Sequence, residues 1–119
     1  MKKILIIDDS SSIRLLLQEI LETEGFFVTA AIDGKQGLSL VKKQEFDLII
    51  SDVNMPLMDG IEFTKEVRKL NEHQFTPILI LTTEHDFDKK MEGKHAGATG
   101  WIVKPIVAEQ LINTISRVL

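Results

Sequence analysis

There is no cysteine among the 119 residues, which excludes disulfides, thiol catalysis and thiolate metal sites and leaves oxygen or imidazole for any metal. Long apolar runs are also missing: Ile4 to Ile7 and Ile78 to Leu81 fall far short of the ~18 residues a membrane span needs. Lys2 and Lys3 have the look of a secretory leader, but Asp8 and Asp9 end the apolar run after Ile7. A cytoplasmic protein without membrane insertion is therefore the expectation. Basic runs are absent too, and with 14 Lys and Arg against 18 Asp and Glu the net charge is −4. Binding a nucleic-acid backbone would work against that repulsion, so no direct nucleic-acid contact is expected.

What is present suits one small globular domain. Apolar residues make up 44% and charged residues 27%, enough for a real core. The length sits at the commonest domain size, so residues 1–119 are read as a single domain.

Solid apolar runs at Ile4–Ile7, Leu48–Ile50, Ile78–Leu81 and Trp101–Val103 look like strands of a parallel sheet covered on both faces, with Phe26–Ala31 a weaker fifth. Helical spacing lies between them. Ile13, Leu16, Leu17, Ile20 and Leu21 form a stripe stopped by Gly25. Leu38 and Val41 mark a shorter helix after Gly34, Ile61 to Leu70 another after Gly60, and Leu111, Ile115, Val118 and Leu119 a terminal one. Phe87 to His95 is a poorer helix, because Gly93 costs about 1 kcal/mol relative to alanine, so this element is predicted to be the softest. The alternation predicts a doubly wound α/β sandwich with five parallel strands and five helices. The flavodoxin-like order 2-1-3-4-5 is borrowed from known doubly wound sheets of five strands rather than derived from these residues.

In such sheets, ligands bind beyond the carboxyl ends of the strands. Here those ends carry Asp8 and Asp9, then Asp52, then Thr82 and Thr83, then Lys104. Three carboxylates in one cleft repel by about 4 kcal/mol per pair at ~4 Å and an effective dielectric near ~20. A hard divalent cation relieves this, with Mg²⁺ fitting best and Mn²⁺ able to substitute. A carboxylate can also act as nucleophile toward a phosphoryl group. Asp52 is the expected acceptor, Lys104 the charge partner and the Thr82 hydroxyl a donor to a phosphoryl oxygen.

These residues resemble the receiver domain of two-component response regulators, in particular its stand-alone, CheY-like chemotaxis members. The likeness runs from Lys3 to the C-terminus. It rests on Asp8-Asp9, on Asp52-Val53-Asn54-Met55-Pro56-Leu57-Met58-Asp59-Gly60, on Thr82 with Glu84, and on Gly97-Ala98-Thr99-Gly100 leading to Lys104-Pro105. The resemblance implies that Asp9 and Asp52 bind the metal directly, that the Asn54 main-chain carbonyl is a third ligand, and that Asp8 acts mainly through a bound water. It implies a cis Lys104–Pro105 peptide, Asn54, Thr83 and Glu84 as modulating positions, and a switch through Thr82 and the aromatic Trp101. The moving face would be helix 4, strand 5 and helix 5. Trp101 stands where tyrosine or phenylalanine is usual, Thr83 where a smaller residue is common, and Ile106 where phenylalanine is customary.

Plainer readings stand beside these. Asp8 and Asp9 can cap the first helix, with Ser10 to Ser12 as alternative caps. Asp52 can be a loop acid before a Pro56–Gly60 turn, Lys104 a solvated strand end, Thr82 strand filler and Trp101 packing. His73, His85 and His95 lack ligand spacing and read as solvated surface residues, with His85 near enough to Thr82 to tune it. Leu15 falls off the buried stripe and with Ile13 forms a candidate apolar docking spot.

The leading expectation is a monomeric signalling module that takes phosphate from a sensor histidine kinase or a phosphotransfer protein and then changes affinity for a downstream target protein. It catalyses its own phosphorylation and dephosphorylation and is otherwise no enzyme. The alternatives are a receiver fragment of a larger response regulator, an aspartate-nucleophile phosphatase and a flavin carrier. Against the phosphatase stands Asp8-Asp9 where Asp-x-Asp is needed; against the flavin carrier stand two acids ahead of Ser10 to Ser12.

Overall fold

The structure is a computed structural model that describes residues 1–83 and 87–119. Its elements run β1 (Lys3–Ile7), α1 (Ser11–Thr23), β2 (Phe27–Ala31), α2 (Gly34–Lys43), β3 (Leu48–Asp52), α3 (Gly60–Arg68), a short 3-10 turn (Asn71–His73), β4 (Ile78–Thr82), α4 (Phe87–Ala96), β5 (Gly100–Val103) and α5 (Ala108–Val118). The five strands are parallel in the order β2-β1-β3-β4-β5.

The solid apolar strands are explained by where alternate side chains go. Ile4 and Ile6 of β1 join Leu48, Ile50, Leu79 and Leu81 beneath α1 and α5, while Leu5 and Ile7 join Ile49, Phe63 and Val67 beneath α2 and α3. The central strands are covered on both faces, which favours apolar side chains along them and leaves the strand ends to most of the polar ones.

Helix ends follow local chemistry. Ser10 caps α1, its hydroxyl accepting from Ile13 N at 3.4 Å. Gly25, at φ 91°, closes the other end, with Phe26 N donating to Leu21 O and Gly25 N to Glu22 O. Asp59 caps α3 through Oδ1, which accepts from Ile61 N at 2.9 Å and Glu62 N at 2.8 Å.

Three expectations are corrected. Leu16 belongs to the predicted buried stripe, yet it is 39% exposed, because α1 turns Leu17 and Leu21 to the sheet and leaves Leu16 on the wall of a groove shared with Ile106 and Ile112 of the α5 side. The third helix ends at Arg68 rather than Leu70. His73 is fully buried instead of solvated: its Nδ1 lies 2.9 Å from Thr76 Oγ1, inside a corner where Arg68 Nη1 donates to the His73 and Thr76 carbonyls. His95 is exposed as expected.

Candidate functional site

β1, β3, β4 and β5 end at one edge of the sheet, and their last residues meet there. Asp8 follows β1, Asp52 closes β3, Thr82 closes β4 and Lys104 follows β5. Ser10 takes the cap of α1, which leaves Asp8 and Asp9 for other work. Asp8 Oδ1 accepts from Ser10 N at 2.9 Å, and its other oxygen, Oδ2, stands 3.6 Å from Lys104 Nζ.

Carboxylate oxygens of Asp8, Asp9 and Asp52 lie within 4.8 Å of one another. Asp8 and Asp52 are buried, Asp52 only 5% exposed, and Asp9 is open to solvent. Lys104 Nζ donates to Asp52 Oδ1 at 3.1 Å and stands 3.6 Å from Asp8 Oδ2. One lysine faces three acids, and the residual charge shows in the protonation behaviour. Burial, then the Asp8 charge, pushes Asp52 above the ordinary carboxylate range; the hydrogen bond and charge of Lys104 pull against this, and Asp9 adds to the rise. Burial alone would lower Lys104, but the hydrogen bond and charge of Asp52, reinforced by Asp8, carry it above its usual value.

Two buried oxygens at this edge, Asp8 Oδ2 and Thr82 Oγ1, have no hydrogen-bond partner among the described residues. A buried hydroxyl left unpaired costs about 1–3 kcal/mol, so the Thr82 Oγ1 donor is available to a water or a ligand oxygen at this edge. The donor set is all oxygen, which suits a hard divalent cation, and the acidic cluster can hold one.

The other predicted residues fall around this core. Asn54 is exposed in the loop after β3, and Thr83 is exposed beyond β4. Glu84 and His85 lie outside the described residues. Trp101 on β5 is 40% exposed, its ring 5.8 Å from Lys90 Nζ of α4. The Lys104–Pro105 peptide is cis. Leu15 is exposed on α1, where it lines a shallow groove with Gln18 and Glu22.

Two contributors escaped the sequence. Arg14 Nη1 donates to the Asp8 carbonyl at 2.7 Å, bracing the loop that presents the acids; an arginine in a first turn gives no sign of reaching backward. Gly60 sits so close to the Asp52 carbonyl that a Cβ would overlap it. Its place after Asp59 was visible, but the steric reason was not.

A parallel sheet whose carboxyl edge gathers three acids, a lysine and an unpaired buried hydroxyl defines an acidic-pocket α/β domain. Residues 4–116 match the response regulator receiver domain, and the chain belongs to that family. It is 38% identical over 117 residues to chemotaxis protein CheY-3 of Vibrio cholerae serotype O1, covering 98% of this chain and 90% of that one. Its structure matches that of Vibrio cholerae chemotaxis protein CheY4 with a TM-score of 0.96 at 52% identity, over 100% of this chain and 99% of the other. It also matches the receiver domain of sensor histidine kinase PA1611 of Pseudomonas aeruginosa PAO1, described with a magnesium ion coordinated in its active-site cleft, with a TM-score of 0.91 at 26% identity over 98% and 96% of the chains. Receivers are signalling switches rather than metabolic enzymes, and they work between histidine kinases and downstream targets.

Proposed function

We propose that the whole chain, residues 1–119, is one receiver domain in which Asp52 accepts a phosphoryl group from a phosphohistidine. The observation that carries this is the 3.1 Å contact of Lys104 Nζ with Asp52 Oδ1 inside a cluster of three acids. A structural lysine pair would need one acid; three acids and one lysine leave negative charge that a further cation offsets. Asp8, Asp9, Asp52 and the Asn54 main-chain carbonyl would hold Mg²⁺, with Asp8 acting mainly through water and Mn²⁺ able to replace it. When bound, the cation withdraws charge from the phosphoryl oxygens.

The residues then divide the work. A carboxylate oxygen of Asp52 forms the new O–P bond as the donor's P–N bond breaks, and the departing imidazole keeps the electron pair and takes a proton. Lys104 neutralises a phosphoryl oxygen, and Thr82 Oγ1, unpaired before the reaction, donates to another. Pulling Thr82 toward phosphate frees space for Trp101 to turn inward and remodels the α4–β5–α5 face that a target protein reads; Asn54, Thr83 and Glu84 modulate lifetime. The chain is a cytoplasmic monomer, catalyses only its own phosphorylation and hydrolysis, binds no nucleic acid directly, and serves a chemotaxis pathway, the reading that the CheY-3 and CheY4 likeness favours.

Intact-mass measurement tests it. Acetyl phosphate with Mg²⁺ should add one phosphoryl group to the parent and none to Asp52→Asn. A label that persists in the variant, or none on the parent, removes Asp52 as acceptor.

A further inference from the structure

Residues 53 to 60 form a loop that leaves and returns at the acceptor. Val53 follows Asp52 directly, Gly60 N donates to Val53 O at 3.0 Å, and Gly60 lies against the Asp52 carbonyl with no room for a side chain. Met55 and Met58 pack onto the core beneath α2 and α3, and Gly34 of α2 lets Met58 come close, since a Cβ there would stand 2.8 Å from the Met58 carbonyl. Both legs of the loop are thus pinned. Its tip is Leu57.

Leu57 has φ 70°, the only positive value outside glycine among the described residues, and Met58 N donates to Pro56 O at 2.8 Å across it. A three-residue turn with that sign of φ is rare and strained, and glycine or asparagine takes it at lower cost than leucine. The strain produces no packing, because Leu57 is 76% exposed. A bulky apolar residue held in a costly conformation and kept in solvent beside a reactive group points outward to a partner.

We propose that Leu57 is a docking contact for the protein phosphodonor, seating against an aliphatic patch beside the donor's phosphohistidine. This rests on Asp52 as acceptor. Asp52 is only 5% exposed, so a donor's phosphorus must come down into the edge pocket while its protein body rests on the surrounding loops. The loop whose two ends meet at Asp52 lies under that body, and its tip offers an exposed apolar side chain on the same loop as the exposed Asn54. Small donors such as acetyl phosphate make no use of it.

The test compares two donors on four proteins. The donors are acetyl phosphate with Mg²⁺ and a purified, ATP-charged histidine kinase chosen because it labels the parent chain; the proteins are the parent, Leu57→Asn, Leu57→Gly and Leu57→Met. Asparagine and glycine accept the backbone conformation, so their melting temperatures should equal or exceed the parent's. Transfer from the kinase should fall about tenfold in these two, as loss of an interface anchor does, while labelling by acetyl phosphate stays within about twofold and Leu57→Met keeps parental transfer. Unchanged kinase transfer in Leu57→Asn and Leu57→Gly, or an equal fall with both donors, overturns the assignment. So does sedimentation showing a dimer of the parent that Leu57→Asn dissolves, which would give Leu57 to a second copy. A parent that acetyl phosphate cannot label condemns the acceptor reading itself instead.

Discussion

The helices before and after β5 in the chain are held to the sheet in different ways. α5 is strongly amphipathic and buries Leu111 and Ile115 in the core cluster shared with α1. Among the described side chains α4 has almost no apolar side: Gly93, whose missing Cβ would lie 3.0 Å from Ile80 Cδ1, and Ala96 face the sheet, while Met91 is 46% exposed. Low-stability elements are the ones that move, so of these two helices the sparsely packed α4 is better suited to move and α5 to stay in place. The sharpest way to break that contrast is by truncation on each side. Leu111→Ala should cost about 2–5 kcal/mol, and Met91→Ala within about 0.5 kcal/mol, measured by urea unfolding. Equal losses would mean that α4 is anchored as well as α5.

The acidic edge carries a different kind of weakness, stored as charge. Saturating Mg²⁺ should stabilise the parent by about 2.7 kcal/mol at a hundred times its dissociation constant, read as a rise in melting temperature. Asp52→Asn should itself melt higher than the metal-free parent at neutral pH. Because burial and Asp8 raise Asp52 in the folded state, the native chain binds more protons than the unfolded one between the ordinary carboxylate value and the raised one. Stability of the metal-free parent therefore falls as pH rises through that window, and the advantage of Asp52→Asn should vanish at pH values below it. An advantage that is unchanged at acid pH would assign the effect to packing rather than charge.

Much of this was legible in sequence because the central strands are covered on both faces. Covered strands read as continuous apolar runs with polar residues at their ends, so Asp8, Asp52, Thr82 and Lys104 could be placed at one edge without coordinates. Capping was only half legible, since serine and aspartate compete for the same role and only geometry gave Ser10 the cap and released Asp8. Long-range side chains were not legible at all. Arg14 reaches back to the Asp8 carbonyl, Arg68 spans to the Gly97 carbonyl at 2.8–3.0 Å, and His73 is buried in the corner that Arg68 closes. No periodicity encodes such a reach. Leu57 was hidden for another reason: its motif position was plain, but its backbone sign depends on both legs of the loop being pinned.

The smallest effect bears on the link between the soft helix and β5. Lys90 of α4 stands 5.8 Å from the Trp101 ring centroid, within cation–π range of an indole that is 40% exposed. At an exposed site such a contact is worth about 0.5–1 kcal/mol, which opposes any inward turn of Trp101 by about two- to fivefold in population. The chain has one tryptophan and no tyrosine, so its emission reports this ring alone. In Lys90→Met, a subsaturating dose of beryllofluoride with Mg²⁺ should shift that emission further than in the parent, while saturating doses bring both to the same end point. Identical titrations would show that Lys90 does not restrain the ring, and a tryptophan signal indifferent to beryllofluoride in both proteins would remove Trp101 from the relay and leave α4 to move without it.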